Sequence, residues 1–275
     1  MRIARFADGG EPQYGVVELA ADDGPHPDTV SVLTGDPLVG QVQLTGERKE
    51  LDGVRLLAPV IPRSKIVAIG KNYAAHAAEM GGEVPADPLV FFKPNTAVIG
   101  PGDSIVYPTT TQQLSYEGEL AVVIGRICKE VPLDRVSEVV FGYTVANDVT
   151  ARDLQISDGQ WARAKGYDTF CPLGPWITTH QSLTEVASLA IRTTLDGVQR
   201  QNGTTADMVR GVAEIVAFIS SFTTLLPGDV ILTGTPEGVG EMRPGQEVSI
   251  EIEGIGTLTN LVASAGNLPA AEANR

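Results

Sequence analysis

The sequence predicts a mainly β, mixed α+β protein, with a small β-rich unit at the N-terminus and a larger unit built of short strands. Three observations predict it. Short apolar runs rich in β-branched residues recur along the chain, each bounded by turn residues. Thirty glycines and eighteen prolines in 275 residues supply the tight turns that such runs need. Only one long stretch carries apolar residues at helical spacing, and strands do not alternate regularly with helices, which argues against a doubly wound parallel sheet.

Taken in order, Arg2–Phe6 and Tyr14–Leu19 flank Asp8-Gly9-Gly10-Glu11-Pro12, a hairpin pattern. Residues 1–60 read as a small N-terminal β-rich domain, closed by Ala58-Pro59-Val60-Ile61-Pro62, whose prolines discourage ladder pairing. The main domain, 61–265, opens on the strand Lys65–Gly70 and a short helix, Ala74–Met80, stopped by Gly81-Gly82. Leu89–Phe92, Ile105–Tyr107, Leu120–Ile124, Val139–Val145, Ile191–Leu195, Val230–Thr233 and Val248–Ile252 each read as a strand. From about Ala206 to Thr223, Met208, Val209, Val212, Ile215, Val216, Ile219 and Phe222 recur at helical spacing. A helix is expected there, capped by Thr204 or Thr205. Residues 266–275 read as a tail.

A net charge of −14 argues against a nucleic-acid partner, which wants a basic face, and against an anionic membrane surface. It leaves a small anionic substrate open, because a site can be locally positive on an acidic protein. Cys128 and Cys171 are too few for a disulfide framework or a zinc cluster and read as buried thiols. The first residues contain no apolar secretory stretch, and no run reaches the length of a membrane span, so a cytoplasmic protein is expected.

The candidate chemistry centres on Tyr116-Glu117-Gly118-Glu119, which leads straight into the apolar strand. In an extended chain Glu117 and Glu119 point to one face, where like charges repel unless water or a cation separates them. A solvated acidic face fits that spacing as well as a cation site does. Asp148 closes another apolar run, Val139–Ala146, and offers a third carboxylate. The chain has no Gly-x-Ser-x-Gly elbow, Walker loop, dinucleotide fingerprint or His-Glu-x-x-His, and its three histidines make a His-rich zinc site implausible. Oxygen ligands remain, and Glu117, Glu119 and Asp148 suit Mg2+ or Mn2+ with positions left for a substrate. His76 and Glu79 are three apart on the expected helix and share a face, either as a base and its orienting carboxylate or as an incidental surface pair. Lys165 could bring positive charge beside the metal or simply face solvent. Thr233–Gly240, with Thr235, follows a strand and offers hydroxyls and backbone N–H groups to an anion, or is a plain turn.

The run Gly70-Lys71-Asn72-Tyr73-Ala74-Ala75-His76-Ala77-Ala78-Glu79-Met80-Gly81 resembles the entry motif of the fumarylacetoacetate hydrolase family. Phe92-Lys93-Pro94-Asn95, Tyr116–Leu120, Gly142–Gln155, Lys165–Pro175 and Leu232–Gly240 resemble it too, in family order, over roughly three quarters of the chain. The resemblance implies a rolled β-sandwich or barrel-like core, a homodimer, and metal ligation by Glu117, Glu119 and Asp148. It implies a catalytic His76–Glu79 pair, a substrate-stabilising Lys165, and site-lining roles for Lys93, Gln155 and Thr235. An additional upstream aspartate ligand of the eukaryotic fumarylacetoacetases has no match, so the chain is similar to the smaller bacterial branch of hydrolases, isomerases and decarboxylases. The implied function is a Mg2+- or Mn2+-dependent enzyme acting on a small anionic 2-oxo or β-diketo acid through a metal-bound enolate. Hydrolytic cleavage of an acylpyruvate is the leading expectation, because a His–Glu pair is what water activation needs. Isomerisation of 2-hydroxyhepta-2,4-diene-1,7-dioate and decarboxylation of oxaloacetate are the alternatives, and a non-catalytic metal-binding module is the rival of another class.

Overall fold

The computed structural model of the protein describes residues 1–20 and 26–266, so the expected tail lies outside the described residues except for Gly266. The N-terminal part forms β1 (Arg2–Ala7), β2 (Gln13–Glu18), β3 (Thr29–Leu33), β4 (Leu44–Glu50) and β5 (Arg55–Leu57). Next come β6 (Ile66–Gly70), α1 (Ala74–Glu79), β7 (Leu89–Lys93), β8 (Val98–Ile99) and β9 (Ser104–Tyr107). The middle of the chain holds β10 (Leu114–Tyr116), β11 (Gly118–Ile124), β12 (Val140–Asn147), β13 (Thr150–Ala151), α2 (Arg152–Asp158), α3 (Ala162–Lys165) and β14 (Cys171–Thr178). The last third contributes β15 (Ala190–Leu195), β16 (Val198–Thr204), α4 (Val212–Phe222), β17 (Val230–Leu232), β18 (Gly240–Met242), β19 (Glu247–Ile252) and β20 (Gly256–Ser264).

Among the described residues the strands form three sheets, and the protein is mainly β with a few short helices. The large sheet runs β4-β3-β2-β1-β14-β12-β11-β17-β6-β7, with β5 on β1 and β8 on β14. It is mixed: β17–β6 and β14–β8 are parallel, the other pairs antiparallel. β1 pairs with β2 on one side and β14 on the other, so the N-terminal strands extend the large sheet. The second sheet, β16-β15-β19-β20-β9, faces it across the core, as a rolled β-sandwich requires. A small third sheet, β13-β10-β18, completes the set.

β11 explains why its sequence is continuously apolar. Leu120, Val122 and Ile124 point into the core shared with Ile191 and Ile250 of the second sheet and Ile215 and Ile219 of α4. Ala121 and Val123 point the other way, toward Ile66, Val230 and Leu232. A strand buried on both faces needs no polar alternation. Its four large aliphatic side chains contribute about 1.5–3 kcal/mol each on burial. That anchors the strand against the cost of the two acids buried at its N-terminal end.

Two departures from the sequence expectations have local causes. The long helix begins at Val212, not near Ala206. Gly211 is its extended N-cap, and the Gly211 N–H donates to the Glu214 carboxylate at 2.9 Å. Thr204 instead caps a single 3-10 turn, Thr205–Asp207, by accepting the Ala206 N–H. Val209, whose position matched the helical period, donates its N–H to Asn72 O at 2.8 Å and is exposed. The second departure is β14, which carries Pro172, Gly174 and Pro175 and has no strand signature, yet is buried at every position. Its ladder with β12 shifts register between Tyr143 and Val145, where the chain accommodates those residues. Among the described residues no helix is long and apolar enough to cross a membrane.

Candidate metal and active site

The site forms where the chain leaves the small sheet for the large one. Between β10 and β11 the Glu117 N–H donates to Asn147 Oδ1 at 3.0 Å, and the Glu117 carbonyl accepts the Asp148 N–H at 2.9 Å. These bonds tie the start of β11 to the end of β12. Gly118 lies between the two acids and has no room for a side chain, since a Cβ there would fall 2.5 Å from Thr193 Oγ1 of the second sheet. Glu117, Glu119 and Asp148 all come out buried, with ligand oxygens within 4.8 Å of one another.

Cations from three directions meet these acids. Lys165, at the end of α3, donates to Glu117 Oε2 at 2.8 Å and Asp148 Oδ2 at 2.6 Å. Lys93, ending β7, donates to Asp148 Oδ1 at 2.5 Å. Arg152, which opens α2, bonds the other oxygen of Glu117 and donates to Gln155 Oε1 at 3.0 Å. The Glu119 carboxylate accepts the Gly234 N–H at 2.7 Å. Burial alone would raise Glu117, but the Arg152 and then the Lys165 charges outweigh it and hold the carboxyl well below the ordinary range. Glu119 is pushed the opposite way, well above that range, first by burial and then by the Asp148 and Glu117 charges. Burial disfavours the Lys165 ammonium, yet the Asp148 and Glu117 carboxylates more than offset this and raise it. The arrangement therefore leaves Glu119 as the acid whose charge is least compensated. Oxygen donors alone, one of them crowded by like charges, fit a hard divalent cation.

A cavity of about 190 Å³ opens over the three acids and is lined also by His76, Arg152, Gln155, Lys165 and Thr235. Ile69, Met80, Phe91, Ile156 and Trp161 give it apolar walls. His76 Nδ1 lies 3.2 Å from Glu79 Oε2, and the other oxygen of Glu79 accepts the Gly238 N–H at 3.0 Å. Glu79 thus sits at the rim and fixes the ring of a histidine that faces the cavity. Lys93 is behind Asp148 and not on the cavity wall. The Thr235 hydroxyl donates to Gly118 O at 2.9 Å and accepts from Gln201 Nε2 at 2.8 Å, so it braces the strand.

The sequence assigns no role to Arg152 or Trp161, whereas the Gly234 N–H, one of the Thr233–Gly240 groups expected to meet an anion, meets the Glu119 carboxylate. The signal for Arg152 was its spacing of three from Gln155, which puts both on one face of α2. That helix is only seven residues long and has no apolar stripe to announce it. Trp161 packs so tightly on Gly70 that a Cβ there would meet its ring at 2.7 Å, a contact invisible to local pattern.

Comparison with known proteins gives a consistent picture. The family described as "Fumarylacetoacetate (FAA) hydrolase C-terminal" matches residues 65–263, and "Rv2993c-like, N-terminal" matches residues 1–59. Protein Rv2993c of Mycobacterium tuberculosis is 50% identical over 272 residues, covering 97% of this chain and 99% of that protein. The crystal structure of 5-carboxymethyl-2-hydroxymuconate delta-isomerase from Mycobacterium smegmatis is 48% identical, with a TM-score of 0.86, over 96% of this chain and 100% of that one. The fumarylpyruvate hydrolase of Pseudomonas aeruginosa, in complex with Mn2+ and pyruvate, is 36% identical, with a TM-score of 0.70, over 74% of this chain and 91% of that one.

Proposed function

The chain belongs to the fumarylacetoacetate hydrolase family, and we propose that it is a divalent-metal-dependent hydrolase that cleaves a carbon–carbon bond of an acylpyruvate-type 2-oxo acid. The observation that carries this reading is His76 on the wall of the acid-floored cavity, its ring oriented by Glu79. Hydrolysis needs a base to take a proton from water, whereas simple decarboxylation does not. Mg2+ or Mn2+ held by Glu117, Glu119 and Asp148 would supply Lewis acidity to the keto and carboxylate oxygens of the substrate. The Mn2+ and pyruvate of the Pseudomonas aeruginosa enzyme support both the ion and the product class.

In this reading His76 accepts a proton from water as the water oxygen attacks the distal carbonyl carbon. The bond between that carbon and C3 of the pyruvate half breaks, and its electron pair stays with the pyruvate half, which takes up a proton at C3. The products are a carboxylic acid and pyruvate. Lys165, held as an ammonium by Glu117 and Asp148, brings positive charge to the side where negative charge grows. Glu79 keeps the His76 ring turned toward the cavity.

Isomerisation of a hydroxy-diene-dioate is the second reading, favoured by the likeness to the Mycobacterium smegmatis isomerase. There His76 would move a proton between carbons of one substrate. A homodimer is part of the same proposal and is checked by sedimentation. The deciding experiment is a screen of acylpyruvates, oxaloacetate and hydroxy-diene-dioates with Mg2+ or Mn2+, assayed for pyruvate, CO2 and isomer. Acylpyruvate cleavage is expected, and His76→Ala should lower it by about 10²–10⁴-fold. Cleavage unchanged in that variant would remove His76 from the reaction.

A further inference from the structure

Between β6 and α1 the chain turns at Lys71, whose φ of 57° lies in the left-handed region that glycine adopts at least cost. The turn is forced from both sides. Asn72 Nδ2 donates to the carbonyls of Thr233 at 2.8 Å and Arg210 at 3.0 Å, and its Oδ1 accepts the Arg210 N–H at 3.0 Å. Opposite, Gly234 comes so close that a Cβ on it would lie 2.8 Å from Asn72 Cβ. Backbone strain held in place this way is a feature of ligand sites. Here the strained position carries a long cationic side chain.

Lys71 lines the same cavity as the three acids. Its ammonium lies beyond the end of α1, where a Cβ on Gly82 would be 2.7 Å from Nζ. Among the described residues this side chain has no hydrogen-bond or ion-pair partner. The other fixed cations at the site are all committed: Arg152 to Glu117, Lys165 to Glu117 and Asp148, and Lys93 to Asp148. Those three cations match the three carboxylates in charge. A divalent ion would then add two uncompensated positive charges, and Lys71 adds a third at a separate place. A 2-oxo monocarboxylate brings one negative charge, too few for such a site, and a 2-oxo dicarboxylate brings a second that can sit at a distance from the first.

We propose that Lys71 is a specificity-determining residue that recognises a second carboxylate at the far end of the substrate, so that the enzyme takes 2-oxo dicarboxylates in preference to 2-oxo acids with neutral tails. The inference rests on the 2-oxo acid reading above and narrows its substrate class. Part of the cavity wall is the apolar surface of Ile69, Phe91 and Trp161, against which an unpaired distal carboxylate would lose its water without gaining a partner.

Calorimetric titration of the Mg2+-loaded protein with 2-oxoglutarate and with 2-oxovalerate tests this without requiring turnover. The two ligands have the same chain length and differ in a distal carboxylate against a methyl group. The wild-type protein should bind 2-oxoglutarate at least about tenfold more tightly. Lys71→Met should abolish that preference by weakening 2-oxoglutarate far more than 2-oxovalerate, while Lys71→Arg should keep it. A preference that survives in Lys71→Met, or a wild-type protein that binds both ligands equally, overturns the role of Lys71. Binding of neither 2-oxo acid overturns the parent reading and the inference with it. Methionine accepts the strained turn no worse than lysine, and thermal unfolding of the variant confirms that the comparison is between folded proteins.

Discussion

Gln201 of the second sheet accepts the N–H of Gly118, the residue between the two acids of β11, at 3.0 Å. The same side chain is fully buried and uses its remaining capacity on Thr193, Thr235 and Pro236. Thr235 in turn donates to the Gly118 carbonyl, so both polar groups of Gly118 are held by side chains from other elements. The direction in which Glu117 and Glu119 point is therefore set from across the sandwich.

Replacing Gln201 with leucine keeps the volume but strands the Gly118 N–H, the Thr193 hydroxyl and the Pro236 carbonyl. Each buried polar group left unpaired costs about 1–3 kcal/mol. Gln201→Leu should lower unfolding free energy by about 3 kcal/mol in urea titrations and weaken Mn2+ binding measured by calorimetry. Unchanged Mn2+ affinity in the folded variant would reduce Gln201 to a purely structural part.

Cation binding should release a proton. In the ion-free protein, burial and the Asp148 and Glu117 charges push Glu119 well above the usual range, so it keeps a proton at pH values where an exposed glutamate has lost one. A cation needs the carboxylate, so binding displaces that proton and affinity falls as pH drops. EDTA-treated protein titrated with Mn2+ in two buffers of different ionisation enthalpy should give different heats. Added Mn2+ should also raise stability, by about 2.7 kcal/mol at a hundred times its Kd. Heats that agree between buffers, together with pH-independent affinity, would take Glu119 out of the ligand set.

Thiol chemistry offers a check on the core beside the site. Burial pushes the Cys171 thiol up to about 12. At pH 8 only about one part in ten thousand would be thiolate, the form that reacts. Cys171 should resist an aromatic disulfide reagent in the native protein and react at once in denaturant, as peptide mapping would show. Rapid native labelling would mean that β14 opens on its own.

The motifs around Glu117, Glu119, Asp148, His76 and Lys165 were legible because each is a run of neighbours, and period-two alternation already puts Glu117 and Glu119 on one face. The apolar runs of β6, β11 and β12 were legible for the same reason: a buried strand writes its burial into consecutive residues. β14 was not, because its prolines and glycine mark a turn in any local reading, while its place between β12 and β1 depends on partners far away in sequence. The start of α4 was misread because Met208 and Val209 keep the helical period while Gly211 and the bond to Asn72 end it.

The sequence by itself determined the family, the strand-rich fold and the identity of the acids. Only the tertiary structure decided which cation meets which carboxylate, that Glu119 is left least compensated, that Gln201 braces Gly118, and that Lys71 at the cavity wall has no partner among the described residues. The physical reason is range. Side-chain periodicity reports contacts a few residues apart, whereas at this site an ion pair joins Arg152 to Glu117 and a hydrogen bond joins Asn72 to the Arg210 backbone across long stretches of chain.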